Sequence, residues 1–257
     1  KLCGVDEFYT YGGSQAISAM AYGTETIPKV DLICGPGNIF VMAAKKSVYG
    51  DVGVDGIFGP TETLIICDKS ANKEFVVSDL MAQAEHDVLA LPMLITDDQD
   101  FANEINNLYL KKLNNLSRKE IISKSMERGF ISILNGEDEM IEACNIIAAE
   151  HTTIASEKLI DISKKITSSG SLFLGEISSE VLADYVAGPS HVMPTNGSAR
   201  YSSSLSTRTF TKSIPVLSID KTQFEKICSD GEILANLESL DAHGNALSIR
   251  KQFFIGD

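Results

Sequence analysis

The sequence predicts an α/β fold with parallel sheets, because two units of strand, glycine turn and helix follow one another near its start. A strand at 6–11 leads through two glycines into a helix that ends at about Tyr22. A second strand, at 29–34, leads through a Gly-Pro-Gly turn into a helix at 39–48. Parallel strands need a crossover segment between them, usually a helix, so this alternation indicates a parallel sheet.

The two glycine turns are candidate sites for a ligand that carries phosphate. Glycine lets a ligand approach the backbone, and the helix amides that follow can meet phosphate oxygens. Neither turn has the G-x-G-x-x-G pattern of dinucleotide-binding proteins, so a plain loop explains both turns equally well.

The rest of the chain continues the alternation of apolar runs of strand length and amphipathic stretches of helix length. The predicted strands are 62–67, 91–96, 130–134 and 172–174, and the predicted helices are 70–86, 97–128 with a break near Asn114, 137–149, 178–186 and a helical segment from Ser218 to His243. Residues 188–207 are rich in glycine, proline and serine, so they are either a linker or an ordered functional loop.

Composition excludes several classes of protein. The 257 residues can hold one large domain or two ordinary ones, and the net charge of −13 argues against nucleic acid as the main partner. No run reaches the roughly 18 apolar residues of a membrane helix, so no membrane partner is expected. The five cysteines are an odd number without a C-x-x-C pair, which disfavours a disulfide framework and predicts a reducing, cytoplasmic setting. The first residue is lysine, so we expect the chain to be part of a longer protein.

Histidine is scarce, and one predicted helix places it where it can bind a metal. Gln83 and His86 are three residues apart, so an amide oxygen and an imidazole share one helix face. Such a pair supplies half of a four-coordinate zinc site, and Asp184 and His243 are candidates for the other half. Oxygen and nitrogen donors suit zinc, and less decisively manganese or cobalt. Taken singly, each of the four histidines is explained as well by an ordinary surface or core position.

Glu150 and His151 form a second pair with catalytic chemistry, directly after the predicted helix 137–149. A histidine can take a proton from an alcohol near neutral pH, and a neighbouring carboxylate can orient it or activate water. The alternative is a helix C-terminus where a histidine interacts favourably with the helix dipole. The residues alone favour this alternative.

A series of short motifs resembles histidinol dehydrogenase in content and order along essentially the whole chain. The motifs are Gly12-Gly13-Ser14-Gln15-Ala16, Gly35-Pro36-Gly37-Asn38, Gly59-Pro60-Thr61-Glu62, Gln83-Ala84-Glu85-His86-Asp87, Ala149-Glu150-His151, Phe173-Leu174-Gly175, Asp184-Tyr185 with Ala187-Gly188, His191-Val192-Met193-Pro194-Thr195, and Glu238 with Ala242-His243. The resemblance covers only the later part of that family's chain, which extends further at its amino end.

The resemblance implies two Rossmann-like parallel-sheet domains, both incomplete at the amino end, and a helical carboxy-terminal tail. The expected divisions are 1–62 for part of an NAD-binding domain, 63–204 for the zinc, substrate and catalytic domain, and 205–257 for the tail. The family is a homodimer in which the tails are swapped, so that the tail carrying His243 completes the neighbour's site.

The resemblance also implies a zinc- and NAD-dependent four-electron oxidation of L-histidinol, through the aldehyde, to L-histidine. His151 would act as the proton-transfer base, and Glu150 would activate water. One Zn²⁺ per site would be held by Gln83, His86, Asp184 and His243. The substrate contacts would be Thr61, Gln83, His86, His151, Asp184, His191, Glu238 and His243, and the NAD contacts would be Gln15 and Asn38.

Four residues depart from the family pattern. Thr61 stands in place of a usual serine, Ala149 of a proline, Thr152 of a leucine and Ser190 of an asparagine. Two alternatives therefore stay open: a related zinc and NAD dehydrogenase of another polar alcohol, such as a sulfonated diol, or a non-catalytic zinc-binding or oligomerisation remnant. Residues 1–257 alone are predicted not to be an active, independently stable enzyme.

Overall fold

The structure is a computed structural model that describes residues 2–256 and contains two compact units. The first unit runs to Thr211, and the second begins at Lys212. The predicted division after residue 62 falls at the start of the first strand of the larger sheet, which begins at Glu62, and it stays a prediction. No helix in the described part of the chain has the length and hydropathy needed to cross a membrane.

The first unit alternates strands and helices. In chain order its elements are α1 (Ser14–Tyr22), β1 (Leu32–Ile33), α2 (Ile39–Val48), β2 (Gly53–Val54), β3 (Glu62–Cys67), α3 (Lys73–Ala84), β4 (Leu91–Thr96), α4 (Gln99–Leu113), α5 (Lys119–Met126), β5 (Phe130–Ile133), α6 (Glu137–Ile147), β6 (His151–Ile154), a 3₁₀ helix (Glu157–Lys165), β7 (Ser171–Leu174), α7 (Glu180–Tyr185), and two short 3₁₀ helices (Ser198–Arg200 and Thr207–Phe210).

All the described strand pairs are parallel. Strands β1 and β2 form a small sheet, and the larger sheet has the order β5-β4-β3-β6-β7. The chain adds β4 and β5 on one side of β3 and then returns to add β6 and β7 on the other side. This return makes β3 and β6 neighbours, with Thr63 opposite His151.

The central strands are buried on both faces. In β3, Ile65 packs with residues of α3, α4 and α5, whereas Leu64 and Ile66 pack with residues of α6 and the long 3₁₀ helix. Side chains alternate between the two faces of a strand, so a continuously apolar run is what a doubly covered strand requires. This is why the runs at 62–67 and 91–96 predicted β3 and β4 with their observed bounds.

Polar caps set the starts of several helices. The side chain of Asn38 accepts hydrogen bonds from two backbone amides at the start of α2. Asn72 and Asp98 cap α3 and α4 in the same way, each with one amide. These bonds satisfy backbone donors that have no partner inside the helix. The predicted break in the long polar region is confirmed, since α4 ends at Leu113 and α5 begins at Lys119.

Two sequence predictions at strands are wrong. Residues 6–11 form no strand, and Phe8 is 85% exposed, because no neighbouring strand or apolar surface in the described chain covers this segment. The predicted strand at 29–34 shrinks to the two residues of β1.

A third error concerns the chain before His151. The helix predicted at 137–149 ends at Ile147, because Ala148 adopts a left-handed conformation (φ 51°). His151 then begins strand β6, which the sequence did not predict. The interpretation of Glu150 and His151 as a helix C-terminus is therefore wrong, and the β-branched run Thr152-Thr153-Ile154 explains the strand.

The second unit is a helical hairpin of α8 (Lys221–Leu237) and α9 (Asp241–Phe254). The predicted helical segment thus extends beyond His243, to Phe254. The two helices are joined by the Ser248 hydroxyl and the Lys251 ammonium, which both bond to Glu232. Several large apolar side chains of the hairpin are exposed, including Leu237 and Phe253.

Candidate active site

One cavity of the first unit collects seven of the eleven predicted site residues. It has a volume of about 430 Å³ and is lined by Thr61, Gln83, His86, Glu150, His151, Asp184 and His191, together with Pro36, Gly37, Phe58, Gly59, Tyr185, Val192 and Met193. These residues come from six separate stretches of the sequence, so the fold brings the motifs together in one place.

The cavity lies at the amino ends of β3 and β6. Thr61 immediately precedes β3, and His151 is the first residue of β6. Open α/β sheets usually bind ligands at the opposite edge, at the carboxyl ends of the strands. The amino edge is where the returning helix α3 ends, and Gln83 is in its last turn. The carboxyl end of a helix carries partial negative charge, which favours a cation beside it.

His151 is buried and held in one tautomer. Its Nδ1 lies 3.2 Å from the backbone carbonyl oxygen of Glu62, and only an N–H can donate to a carbonyl. Nε2 therefore keeps its lone pair; it is buried without a hydrogen-bond partner in the described chain and lies 3.9 Å from Asp184 Oδ1. Burial lowers the pKa of His151, while the Glu62 carbonyl and Asp184 act against this. The side chain is thus a neutral base with a free nitrogen.

Glu150 is buried beside His151, and its pKa is raised to about 8, chiefly because burial disfavours the charged form. The Thr61 hydroxyl donates to its Oε2 at 2.7 Å, and the Glu62 amide donates to the same oxygen at 3.2 Å. Both bonds favour the carboxylate and limit the rise. A carboxyl group that titrates close to neutral pH is suited to exchanging protons with water or substrate.

Gln83, His86 and Asp184 offer the donors of a divalent cation site. Gln83 is only 1% exposed, and neither atom of its amide has a partner in the described chain. The His86 Nδ1 lies 3.1 Å from the Ala82 carbonyl, which leaves Nε2 as the free nitrogen. Metal-binding histidines usually donate their other N–H in this way. A buried amide, an oriented imidazole and a carboxylate that line one cavity fit zinc in donor type.

The three donors differ from the commonest metal sites of proteins, in which every ligand is a His, Cys, Asp or Glu side chain. Within residues 2–256 no group of three or more His, Cys, Asp or Glu side chains is placed to hold a metal ion. The donor set in the cavity contains only two such side chains, His86 and Asp184, because the third donor is the Gln83 amide.

Residues 188–197 are an ordered loop that packs on the first unit, which argues against a linker in this part of the 188–207 stretch. The Thr195 hydroxyl accepts from the Gly59 amide at 2.6 Å, and the Asn196 amide donates to Glu62 at 3.1 Å. Val192 and Met193 are buried. These contacts hold the loop against the start of β3 and place His191 in the cavity wall.

Four predicted site residues lie outside this cavity. Gln15 is exposed at the start of α1, and Asn38 is occupied as the cap of α2, although its neighbours Pro36 and Gly37 line the cavity. Glu238 and His243 belong to the second unit, where both line a separate pocket of the helical hairpin.

Sequence reasoning missed the function of Glu62 in orienting its neighbours. Its backbone amide contacts Glu150, its carbonyl contacts His151, and its side chain contacts the 188–197 loop. Its position beside Thr61 in a motif was the available signal. Every residue except proline has the same backbone donor and acceptor, so the sequence could not predict which backbone groups contact Glu150 and His151.

Comparison with known proteins agrees with these motifs. The family model for histidinol dehydrogenase matches residues 1–251. The histidinol dehydrogenase of Dehalococcoides mccartyi is 44% identical over 96% of this chain and 57% of its own length, and that of Listeria monocytogenes is 46% identical over 97% and 59%. A crystal structure of histidinol dehydrogenase from Elizabethkingia anophelis matches with a TM-score of 0.93 and 39% identity, over 98% of this chain and 58% of that one.

The chain therefore spans less than two thirds of the length of these relatives, while the match covers nearly all of the chain itself. The family model, the sequence identities and the structural match agree. The chain belongs to the histidinol dehydrogenase family.

Proposed function

We propose that the protein containing this chain oxidises L-histidinol through L-histidinaldehyde to L-histidine, with two hydride transfers to NAD. The observation that carries the proposal is the buried, neutral His151, whose free Nε2 lies in a cavity beside a carboxyl group that titrates close to neutral pH. Alcohol oxidation to an acid needs both a base for the alcohol proton and a group that activates water.

In the first step His151 Nε2 takes the hydroxyl proton of the alcohol. NAD, when bound, would accept the carbon-bound hydrogen as hydride. The hydrogen bond from Nδ1 to the Glu62 carbonyl stabilises the imidazolium that forms. Asp184, 3.9 Å from Nε2, stabilises the same positive charge.

In the second stage Glu150, as the carboxylate, takes a proton from water as the water oxygen attacks the aldehyde carbon. The protonated His151 gives its proton to the former carbonyl oxygen, so that the hydrate forms and His151 is a neutral base again. His151 then accepts a hydroxyl proton of the hydrate, and a second NAD, when bound, would accept the hydride from the same carbon. The Thr61 hydroxyl keeps the Glu150 carboxylate in place for this step, since it donates to Oε2. Thr61 and His191 are the proposed substrate contacts from the first unit, together with the metal-binding side chains, and Glu238 would add one from the tail.

Zinc is part of the proposal, because the Gln83 amide is buried without a partner in the described chain and His86, which has a free nitrogen, lines the same cavity. The residues that would hold it are Gln83, His86 and Asp184, with His243 of the partner subunit. When bound, Zn²⁺ would supply the positive charge that anchors the imidazole and amine of the substrate. The chain's own contribution is to hold three donors in one cavity wall.

NAD contacts are assigned to Gln15 and Asn38. Support comes from the Gly35–Asn38 turn, because Pro36 and Gly37 line the cavity that contains His151. Gln15 and Asn38 would hold NAD, which would supply the hydride acceptor for the alcohol.

A homodimer with exchanged tails completes the proposal, in a cytoplasmic setting. The tail hairpin exposes large apolar side chains such as Leu237 and Phe253, as expected for a surface that is covered in an assembly. Glu238 and His243 share one pocket of this hairpin, so both would reach a neighbouring site together.

The test is NADH formation from L-histidinol by the complete gene product, before chelation, after chelation and after zinc is restored. Two NADH per histidinol are expected, with activity lost on chelation and recovered with zinc. His151→Asn is expected to lower kcat by about 10²- to 10⁴-fold, since it removes the proton acceptor. Exposed Lys164→Ala serves as the control and should match the wild type.

A folded, zinc-loaded dimer that forms no NADH from histidinol would contradict the proposal. NADH formed instead from a sulfonated diol would identify the alternative dehydrogenase. Residues 1–257 expressed alone are expected to give no turnover in the same assay.

A further inference from the structure

A buried carboxyl group lies directly behind the cavity without lining it. Glu180, at the start of α7, is 1% exposed. Its Oε1 accepts from the hydroxyls of Thr63 and Thr153, at 2.5 and 2.9 Å. Its Oε2 is buried without a partner in the described chain. Neither the proton transfers nor the ligand set proposed above uses this group.

The two threonines connect Glu180 to the strands that carry the catalytic residues. Thr63 is two residues after Thr61 on the chain, and Thr153 is two residues after His151. Side chains two apart on a strand point to the same face, so Glu180 is bonded to the face that presents Thr61 and His151. The bonds span β3 and β6, the neighbouring strands whose amino ends form the cavity.

The same carboxyl group belongs to the helix that carries Asp184. Glu180 and Asp184 are four residues apart in α7, so they share one face of the helix. A helix of six residues is too short to be stable by itself, so its position depends on tertiary contacts. The two threonine bonds are such contacts, and they set where Asp184 stands relative to His151.

A second hydrogen bond joins the start of α7 to α3. The Ser179 hydroxyl, one residue before Glu180, donates to Asp79 Oδ1 at 3.0 Å. Asp79 precedes Gln83 by one helical turn of α3. In both α3 and α7, an acidic residue therefore lies one helical turn before the proposed metal ligand. The bond from Ser179 to Asp79 joins the two helices near these acidic residues.

Burial of this carboxyl group has a free-energy cost that an apolar residue would avoid. Burial also raises its pKa, to about 8, so the group is neutral at pH 7 and its bonds to the threonines are made by an uncharged carboxyl. What the position requires is therefore an oxygen acceptor of defined reach, rather than a negative charge.

We propose that Glu180 is a positioning residue for the cation site: its hydrogen bonds to Thr63 and Thr153 hold α7 so that Asp184 meets Gln83 and His86. This inference rests on the proposed function, which assigns those three side chains as ligands. The role is specific to the acceptor oxygen, so glutamine replaces it and alanine does not.

The experiment measures zinc affinity of the metal-free complete protein by competition with a chromophoric chelator, independently of turnover. Glu180→Ala is expected to weaken zinc binding by about 10- to 100-fold, the usual effect of removing a residue that orients a metal ligand. Glu180→Gln keeps the acceptor oxygen and should stay within about threefold of wild type. Asp184→Asn is the reference for loss of the ligand itself.

The outcomes are distinguishable. A folded Glu180→Ala protein with unchanged zinc affinity, or a Glu180→Gln protein as weak as alanine, overturns the positioning role. If Glu180→Ala does not fold, Thr63→Val and Thr153→Val test the same bonds from the other side, and unchanged zinc affinity in both overturns it. Unchanged affinity in Asp184→Asn would instead contradict the ligand assignment in the proposed function.

Discussion

Two buried polar clusters in the first unit meet the free-energy cost of burial in opposite ways. Lys45 and Asp55 are almost fully buried, and their charges neutralise each other at 2.6 Å. Glu150 and His151 are also buried, and burial drives both towards the neutral form, raising one pKa and lowering the other. In the Lys45–Asp55 pair each charge has an opposite charge as its partner. In the Glu150–His151 pair, His151 Nε2 has no hydrogen-bond partner in the described chain. A site that awaits a ligand is expected to look like the second.

The Lys45–Asp55 pair also supports one wall of the cavity that contains Glu150 and His151. The Lys45 ammonium also donates to the Gly35 carbonyl at 2.5 Å and lies 5.3 Å from the centre of the Phe58 ring. Asp55 accepts from the amides of Gly35 and Gly56. These bonds fix the turn beginning at Gly35, whose positive φ of 114° favours glycine. That turn and Phe58 bring one side of the cavity into place.

The largest expected effect is on the buried ion pair. Lys45→Met leaves Asp55 as an uncompensated buried charge and should lower the free energy of unfolding by about 3–5 kcal/mol, measured by urea denaturation. The double variant Lys45→Met with Asp55→Leu removes both charges and should recover most of the loss. A single variant as stable as wild type would show that the pair is hydrated in solution rather than neutralised by burial together.

An intermediate effect is expected at Glu150 in the metal-free protein. Its pKa is raised from about 4.5 to about 8, so the folded state holds the proton more tightly than the unfolded state does. Stability should therefore fall as pH rises through this window, by up to about 1.4 kcal/mol per pH unit. Glu150→Gln removes this contribution and should become more stable relative to wild type from pH 6 to pH 8. A difference that is constant with pH would mean that Glu150 is ionised throughout.

The smallest effect is expected at an exposed ion pair of the same length. Lys164 and Asp161 are also 2.6 Å apart, but both side chains are exposed. Water screens the attraction, so Lys164→Ala should leave the urea midpoint unchanged within error. A loss comparable to that of Lys45→Met would show that distance rather than burial decides the contribution of these pairs.

The fold was readable from the sequence where the local pattern and the tertiary environment agree. Most of β3 and most of β4 is continuous apolar sequence, at 64–67 and 91–95, and both strands were predicted because such runs match strands covered on both faces. Strand β6 was missed because it is short and begins with His151 and two threonines. Residues 8–11 are aromatic residues and a threonine, types that favour strands, but a strand also needs a neighbour to pair with.

The site was readable in part. The motifs identified Gln83, His86, Glu150, His151 and Asp184 as candidates, and the structure brings all five into one cavity. The bond from Thr61 to Glu150 was not readable, since it joins residues 89 positions apart. Glu180 has no motif of its own, and its importance depends on two threonines from different strands.

By itself the sequence determined which side chains are available: four histidines, carboxyl groups within short motifs, and apolar runs that must be buried. Only the tertiary structure decided the chemical state of those side chains. His151 is a neutral base with a free Nε2 because the Glu62 carbonyl occupies its other nitrogen. Glu150 titrates near pH 8 because neighbouring elements exclude water from it. Protonation and tautomer depend on desolvation and hydrogen-bond partners, which residues distant in the chain supply only after it folds.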